Sequence, residues 1–466
     1  MSRVHAFGDD ALGDLDAVGL VARIQDRSVS VAEVVDAAIG RAERVDPVLD
    51  TLAHRAFDRA REEARHPRGG FFAGVPSVLK DNVDVQGMPT RHGTDAFVSR
   101  PRREDGDFAR MFLATGLVPL GKTRLSEFGF SPAAEHPRLG PVRCPWDTDR
   151  TAGASSAGSA ALVAAGAVPL AHANDGGGSI RIPAAVNGLV GLKPTRDRLA
   201  QDRLMRDMPV RIVSDGVLTR SVRDTAAFYR EAEKVYRALQ FPPIGNITRP
   251  GRARLRVAVV TSGVGVGASP EVADLTWKTA ALLEELGHRA EAAQAPVADS
   301  FPDDFLLYWS LLALAIVRTG RRRYGRSWDP TRLDNLTLGL AAHARRNLHR
   351  VPLAIRRLRR ARRRTEELFS THDVVLTPTL ATETPQVGHL DPTHDYDTIM
   401  ERLLGWVAFT PLQNATGEPA ISLPLATTEA GLPQGMMFGA AAGREATLLE
   451  LAYELEEARP WARIQD

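Results

Sequence analysis

Apolar residues recur at helical spacing in VAEVVDAAIGRAERV, directly after Ser30. Ser30 and Glu33 have the spacing of a capping box, the serine capping the helix and the glutamate reaching back. Residues from Asp14 to roughly Ala64 read as helices. A different pattern follows. Gly74-Val75-Pro76 leads into a short apolar run ending at Lys80, and GLVPLGKT (116–123), LRVAVVTS (255–262), DVVLTPT (373–379) and EPAISLPL (418–425) are compact apolar runs that read as buried strands. Between them, the alanine-rich segment Ser156–Ala167, SPEVADLTWKTAALLEELG (269–287) and ATLLELAYELEEA (446–458) read as helices. Strands alternating with helices predict an α/β fold. From Phe301 to Phe369 the pattern is helical and rich in arginine, and Pro352 fits the first turn of a helix there.

The chain has 466 residues, 44% hydrophobic and 25% charged, which is ample for a large core. Length allows two or three domains or one large α/β domain. A net charge of +2 gives no global field favouring nucleic acid or anionic membrane. RRLRRARRR reads as a solvated helix face, and no aromatic residue interleaves it as stacking on single-stranded nucleic acid would require. The start, MSRVHAFGDDALGDLDA, has no basic segment followed by an apolar one, and no uncharged apolar run reaches about 18 residues. A cytoplasmic location without membrane contact is the expectation. The single cysteine, Cys144, excludes an intramolecular disulfide and a cysteine-based zinc site, and it reads as a buried, inert thiol. Twelve histidines occur without metal-ligand spacing, so no metal is expected. Lysine and arginine together number 59, of which only five are lysine: Lys80, Lys122, Lys193, Lys234 and Lys278. A chain so biased keeps lysine by chance or where arginine cannot replace it, because a buried lysine can give up its proton and arginine cannot.

Two serine-bearing loops, around Ser155 and Ser179, lie 24 residues apart with the alanine-rich helix between them. In Asn174-Asp175-Gly176-Gly177-Gly178-Ser179 the three glycines can turn backbone N–H groups inwards beside a hydroxyl, a nest suited to a developing oxyanion. The same glycines also suit a plain tight turn; they lack the spacing of a phosphate loop. Neither serine sits in G-x-S-x-G, so a histidine-based nucleophile elbow is not indicated and a lysine base remains. Lys80 follows Val78 and Leu79, an apolar setting in which the ammonium form is disfavoured.

These segments resemble the amidase signature family. The lysine segment GVP-x-x-x-KD corresponds to Gly74–Asp81, the bridging-serine loop to Gly153–Ser159, and D-x-GGSIR-x-P to Asp175–Pro183. GKTRLSEF (121–128), PWD (145–147), GLKPT (191–195), DGVLTRSVRDTA (215–226), VVLTPT (374–379) and GEPAISLPL extend the resemblance over nearly the whole chain. The wording ANDGGGSIRIPA is similar to the branch with cyclic-amide hydrolases of the 6-aminohexanoate type. The resemblance implies a large mixed twisted β-sheet flanked by helices on both faces, in one domain spanning 1–466. Its core would be about 65–230 and 370–466, with the arginine-rich helices, about 301–369, near the substrate. It further implies Ser179 as nucleophile, Ser155 as bridging serine, Lys80 as base, Gly176, Gly177 and Gly178 with Ser179 as oxyanion donors, and no cofactor. The expected partner is a small-molecule amide, with a homodimer compatible and nucleic acid not expected.

Four positions depart from the family pattern. Ala154 and Ala157 replace glycines beside Ser155, where the resemblance implies a cis peptide. Arg124 stands for a common asparagine and Arg91 for a common threonine; each is either a surface arginine or a reader of substrate carboxylate. Asp175 is a further candidate near the substrate, and Tyr308 and Trp309 either line an acyl pocket or pack in the core. Other readings compete. Ser77-Val78-Leu79-Lys80 is literally S-x-x-K, though the K-T-G partner is absent. An amidotransferase-type subunit or a catalytically degenerate member of the fold would also carry these motifs.

Overall fold

A computed structural model describes residues 3–263 and 265–466. Its main sheet has eight strands, in the spatial order Arg289–Ala292, Arg256–Val259, Val374–Pro378, Pro433–Ala440, Ala420–Thr427, Val190–Lys193, Ser214–Thr219 and Leu170–Asp175. The first three run parallel and the remaining neighbours pair antiparallel, so the sheet is mixed. Helices Arg181–Asn187, Val222–Val235, Pro270–Glu285 and Glu445–Ala458 pack against it. A second sheet orders Leu52–Arg55, Val118–Thr123 and Pro76–Lys80.

The two sheets meet at the edge strand Leu170–Asp175, and side chains bridge the seam. Ser77 Oγ donates to the Leu170 carbonyl at 2.9 Å, and the Lys80 backbone N–H donates to His172 Nδ1 at 3.2 Å. Burial of both strands leaves no water to satisfy these backbone groups, so side chains must do so. The seam thus fixes Lys80 against the strand that ends in the glycine loop.

Most predicted elements are present with trimmed ends. The capping box on Val31–Leu49 forms, Glu33 N–H donating to Ser30 Oγ and Ser30 N–H to Glu33 Oε2. Pro352 lies in the first turn of Val351–Arg360. The all-helical reading of 14–64 needs correction. Asp50 takes a left-handed conformation (φ 53°), ending that helix, and Leu52–Arg55 turns into a strand. Asp46 enforces the turn by accepting from the N–H groups of Thr51 and Leu52. The 301–369 region forms the long helix Phe301–Tyr324 followed by Asn335–Arg346, Val351–Arg360 and Arg362–Thr371, and its arginines at 356, 357, 359, 360, 363 and 364 are exposed. No helix among the described residues is long and apolar enough to cross a membrane.

Candidate active site

Lys80 ends the strand Pro76–Lys80 and is fully buried. Its Nζ lies 2.6 Å from Ser155 Oγ, 2.7 Å from Asn174 Oδ1 and 3.3 Å from the Asn174 carbonyl. Burial brings its pKa down to about 7, with the negative charges of Asp175 and Asp215 opposing the drop. Ser155 follows a cis peptide bond from Ala154 and precedes the helix Ala157–Ala164. Exposure rises outward: Lys80 0%, Ser155 2%, Ser179 9%. Both serines line a cavity of about 970 Å³. Ser77 does not join them. Its hydroxyl faces Leu170 across the seam, and Lys80 Nζ turns to Ser155 instead.

The glycine loop is organised by Asp175. Its Oδ1 accepts from the Gly178 N–H at 2.8 Å and its Oδ2 from the Ile180 N–H at 3.1 Å. Burial alone would raise this carboxyl. The Arg181 guanidinium, at 2.9 Å, and Asn414 Nδ2, at 2.8 Å, instead hold it well below the usual carboxylate range. Asp175 is therefore a buried scaffold charge and not part of the cavity lining. Gly178 has φ 138° and sits against Thr410 and Ile182, so a side chain there would be strained and would clash. With the Gly178 N–H on Asp175, the loop donors left without an acceptor among the described residues are the N–H groups of Gly176, Gly177 and Ser179. Ser156 Oγ anchors the loop by donating to the Ser179 carbonyl at 2.6 Å, and Thr410 Oγ1 donates to that of Gly177 at 2.6 Å.

The structure separates the remaining candidates. Trp309 lines the cavity, whereas Tyr308, one position earlier on the same helix, does not; it packs with Phe305 and Ile212 behind the lining, and its hydroxyl bonds the N–H and carbonyl of Val210 at 3.0 and 2.8 Å. Arg91 donates to the Ala53 carbonyl at 2.6 Å. Arg124 pairs with Asp50 and donates to the Gly140 carbonyl at 3.0 Å. Neither arginine lines the cavity, so the carboxylate-reading role considered for them has no geometric support. Cys144 is buried, and desolvation pushes its thiol up to about 11, as suits an unreactive group. Among the described residues no group of three or more His, Cys, Asp or Glu is placed to hold a metal ion.

Sequence reasoning missed Asn82 and Asn174. They form a reciprocal amide pair at 3.1 and 3.2 Å, and Asn174 Oδ1 also faces Lys80. Period-two alternation places His172 and Asn174 on one face of Leu170–Asp175, and Asn174 opens the glycine-loop motif, yet neither signal points to Lys80. Gln413 and Asn414, which bind Arg181, lie over 230 residues away from it and carry no local signal.

Residues 33–449 match the profile of the Amidase family. The chain belongs to the amidase signature family. A Mycobacterium leprae protein carrying the amidase designation AmiC is 65% identical over 466 residues, covering 100% of this chain and 99% of that protein. The 6-aminohexanoate-cyclic-dimer hydrolase of Paenarthrobacter ureafaciens is 33% identical, covering 96% of this chain and 95% of the enzyme. Among solved structures, a 6-aminohexanoate cyclic dimer hydrolase complexed with substrate superposes with a TM-score of 0.86 at 30% identity, covering 98% of each chain. A bacterial aryl acylamidase of the same family gives 0.84 at 25% identity, covering 97% of each. This amidase therefore shares the mixed sheet and helices of enzymes that hydrolyse amides of small molecules.

Proposed function

We propose that this amidase hydrolyses uncharged, largely apolar amides through an acyl-enzyme on Ser179, with Ser155 relaying the proton to Lys80 and ammonia or an amine leaving. The observation that carries this reading is the 2.6 Å contact between a fully buried Lys80 amine and Ser155 at the floor of the cavity. With the amine neutral, Asn174 Oδ1 and the Asn174 carbonyl take its two hydrogens and the lone pair faces the Ser155 hydroxyl. Ser179 Oγ attacks the carbonyl carbon as its proton moves to Ser155 and that of Ser155 to Lys80. The free N–H groups of Gly176, Gly177 and Ser179 suit the oxyanion, and Gly178 is reserved for Asp175. Collapse breaks the C–N bond, with the proton returning through Ser155 to the leaving nitrogen. Water then attacks the ester as its proton passes through Ser155 to Lys80; the C–O bond to Ser179 breaks, the proton returns through Ser155 to Ser179 Oγ, and the acid is freed.

The substrate class follows from the lining. Phe305, Trp309, Leu312 and Ile316 form one stripe of the long helix, and Phe130, Leu403 and Phe409 supply other apolar walls. Several charged lining residues pair among themselves, Arg102 with Asp84 at 2.9 Å, Arg203 with Asp207 at 3.4 Å and Arg110 with Asp107, whereas Glu104, Asp202, Arg323 and Glu418 line the cavity without an ion pair among the described residues. Against the apolar stripe and walls, a charged substrate group would lose its hydration without gaining a partner. Length-matched amides test this: hexanamide should exceed 6-aminohexanamide and adipic acid monoamide in kcat/KM by at least about tenfold. Equal or better turnover of a charged amide would remove the apolar assignment.

A further inference from the structure

The strand bearing Lys80 has no backbone ladder to its neighbour Leu170–Asp175, and a histidine takes the ladder's place. His172 Nδ1 accepts from the Lys80 backbone N–H at 3.2 Å, so the ring hydrogen sits on Nε2, which lies 3.1 Å from Asp215 Oδ1 on the adjacent strand Ser214–Thr219. Histidine and aspartate are 0% and 4% exposed, and the Phe108 ring packs 4.5 Å from the imidazole. We propose that His172 and Asp215 act as a positioning pair behind Lys80, the ring holding the lysine backbone and the carboxylate setting the field in which the amine works.

The fixed tautomer follows from both hydrogen bonds. Burial also keeps the ring below its ordinary pKa, against the pull of Asp215, so the imidazole is neutral and does not cancel the aspartate charge. The other nearby carboxylate differs. Asp175 is covered by the Arg181 guanidinium, whereas among the described residues Asp215 has no cationic side chain in ion-pair contact and meets only this neutral histidine ring. Both carboxylates act on Lys80 in the direction of the ammonium, Asp175 more and Asp215 less. The other ionisable groups facing this cluster are Lys122, which acts on the ring, and Asp202 and Tyr229, which feel Asp215. None of these residues touches the substrate cavity except Asp202, which lines it some distance along the chain from either serine. Burying a carboxylate behind a base already at the low end of the lysine range keeps that base strong enough to take a proton.

The inference rests on Lys80 as the base, and the pH dependence of kcat/KM separates the two claims. The wild-type enzyme should show an acidic limb near neutrality; its absence would count against Lys80 itself. In Asp215→Asn, which keeps the acceptor oxygen and removes the charge, the limb, normalised to that variant's own plateau, should move down by about half a unit or more. In His172→Gln the amide can still reach Asp215 but offers nothing at the Nδ1 position, so the plateau should fall on the order of tenfold with the limb in place. If Asp215→Asn fails to fold, Asp215→Ser, which leaves room for water, is read the same way. A wild-type limb that stays put when the Asp215 charge is removed overturns the pair while leaving Lys80 as the base.

Discussion

At the scale of single residues, Lys80 is held between burial, which strips its proton, and two carboxylates, which favour keeping it; the balance falls at about 7. The sign for activity follows. Below that pH the amine is an ammonium and cannot accept from Ser155, so kcat/KM should rise with pH through about 7 and then level off. Lys80→Arg keeps a positive charge and loses the base, so activity should drop by roughly 10²–10⁴ at every pH, as steady-state rates across the profile will register. The scarcity of lysine made part of this legible. The three lysines inside the motif segments, Lys80, Lys122 and Lys193, are all fully buried, while Lys234 and Lys278 are exposed on i,i+3 and i,i+4 pairs. Arg91 and Arg124 were not legible in the same way, because a sequence shows an unusual residue type and not the carbonyl or carboxylate it turns to.

At the scale of elements, long periodic helices and uniformly apolar strands were readable, and short buried strands interrupted by polar or glycine positions were not. Leu170–Asp175, which carries the Lys80 contacts, is six residues long, and its apolar run is interrupted by His172 and Asn174. Those polar residues are tolerated because the seam between the sheets gives each a partner. Val190–Lys193 and Ser214–Thr219 are similarly short and fully buried, with glycine or polar positions that mask the strand pattern. The helix Phe301–Tyr324 shows the opposite limit. Its periodicity is plain, yet choosing between Tyr308 and Trp309 depends on which face meets the cavity, and that is set by packing against Asn335–Arg346 and Val351–Arg360. Trp309 stands edge-to-face with Phe130, ring centres 6.2 Å apart. Trp309→Ala should lower kcat/KM for octanamide by roughly tenfold and shift propionamide far less, since a short acyl group does not reach that wall. A uniform loss across chain lengths, measured on the same preparation, would place Trp309 in stability and not in recognition.

At the scale of the whole molecule, the site is assembled from parts that no local window contains. The nest N–H groups of Gly176, Gly177 and Ser179 point the way they do because Asp175 holds Gly178 and Ile180, Arg181 holds Asp175, and Gln413 and Asn414 from a distant helix hold Arg181. The motif therefore announced the loop, and the C-terminal third of the chain completes it. The proposed role of Ser179 as nucleophile rests on this assembly. Intact-mass analysis after treatment with a serine-directed fluorophosphonate, followed by peptide mapping, tests it most directly. The wild-type protein should gain a single adduct on the peptide containing Ser179, and Ser179→Ala should gain none; an adduct that persists in Ser179→Ala, or maps to another residue of the wild type, would contradict the account.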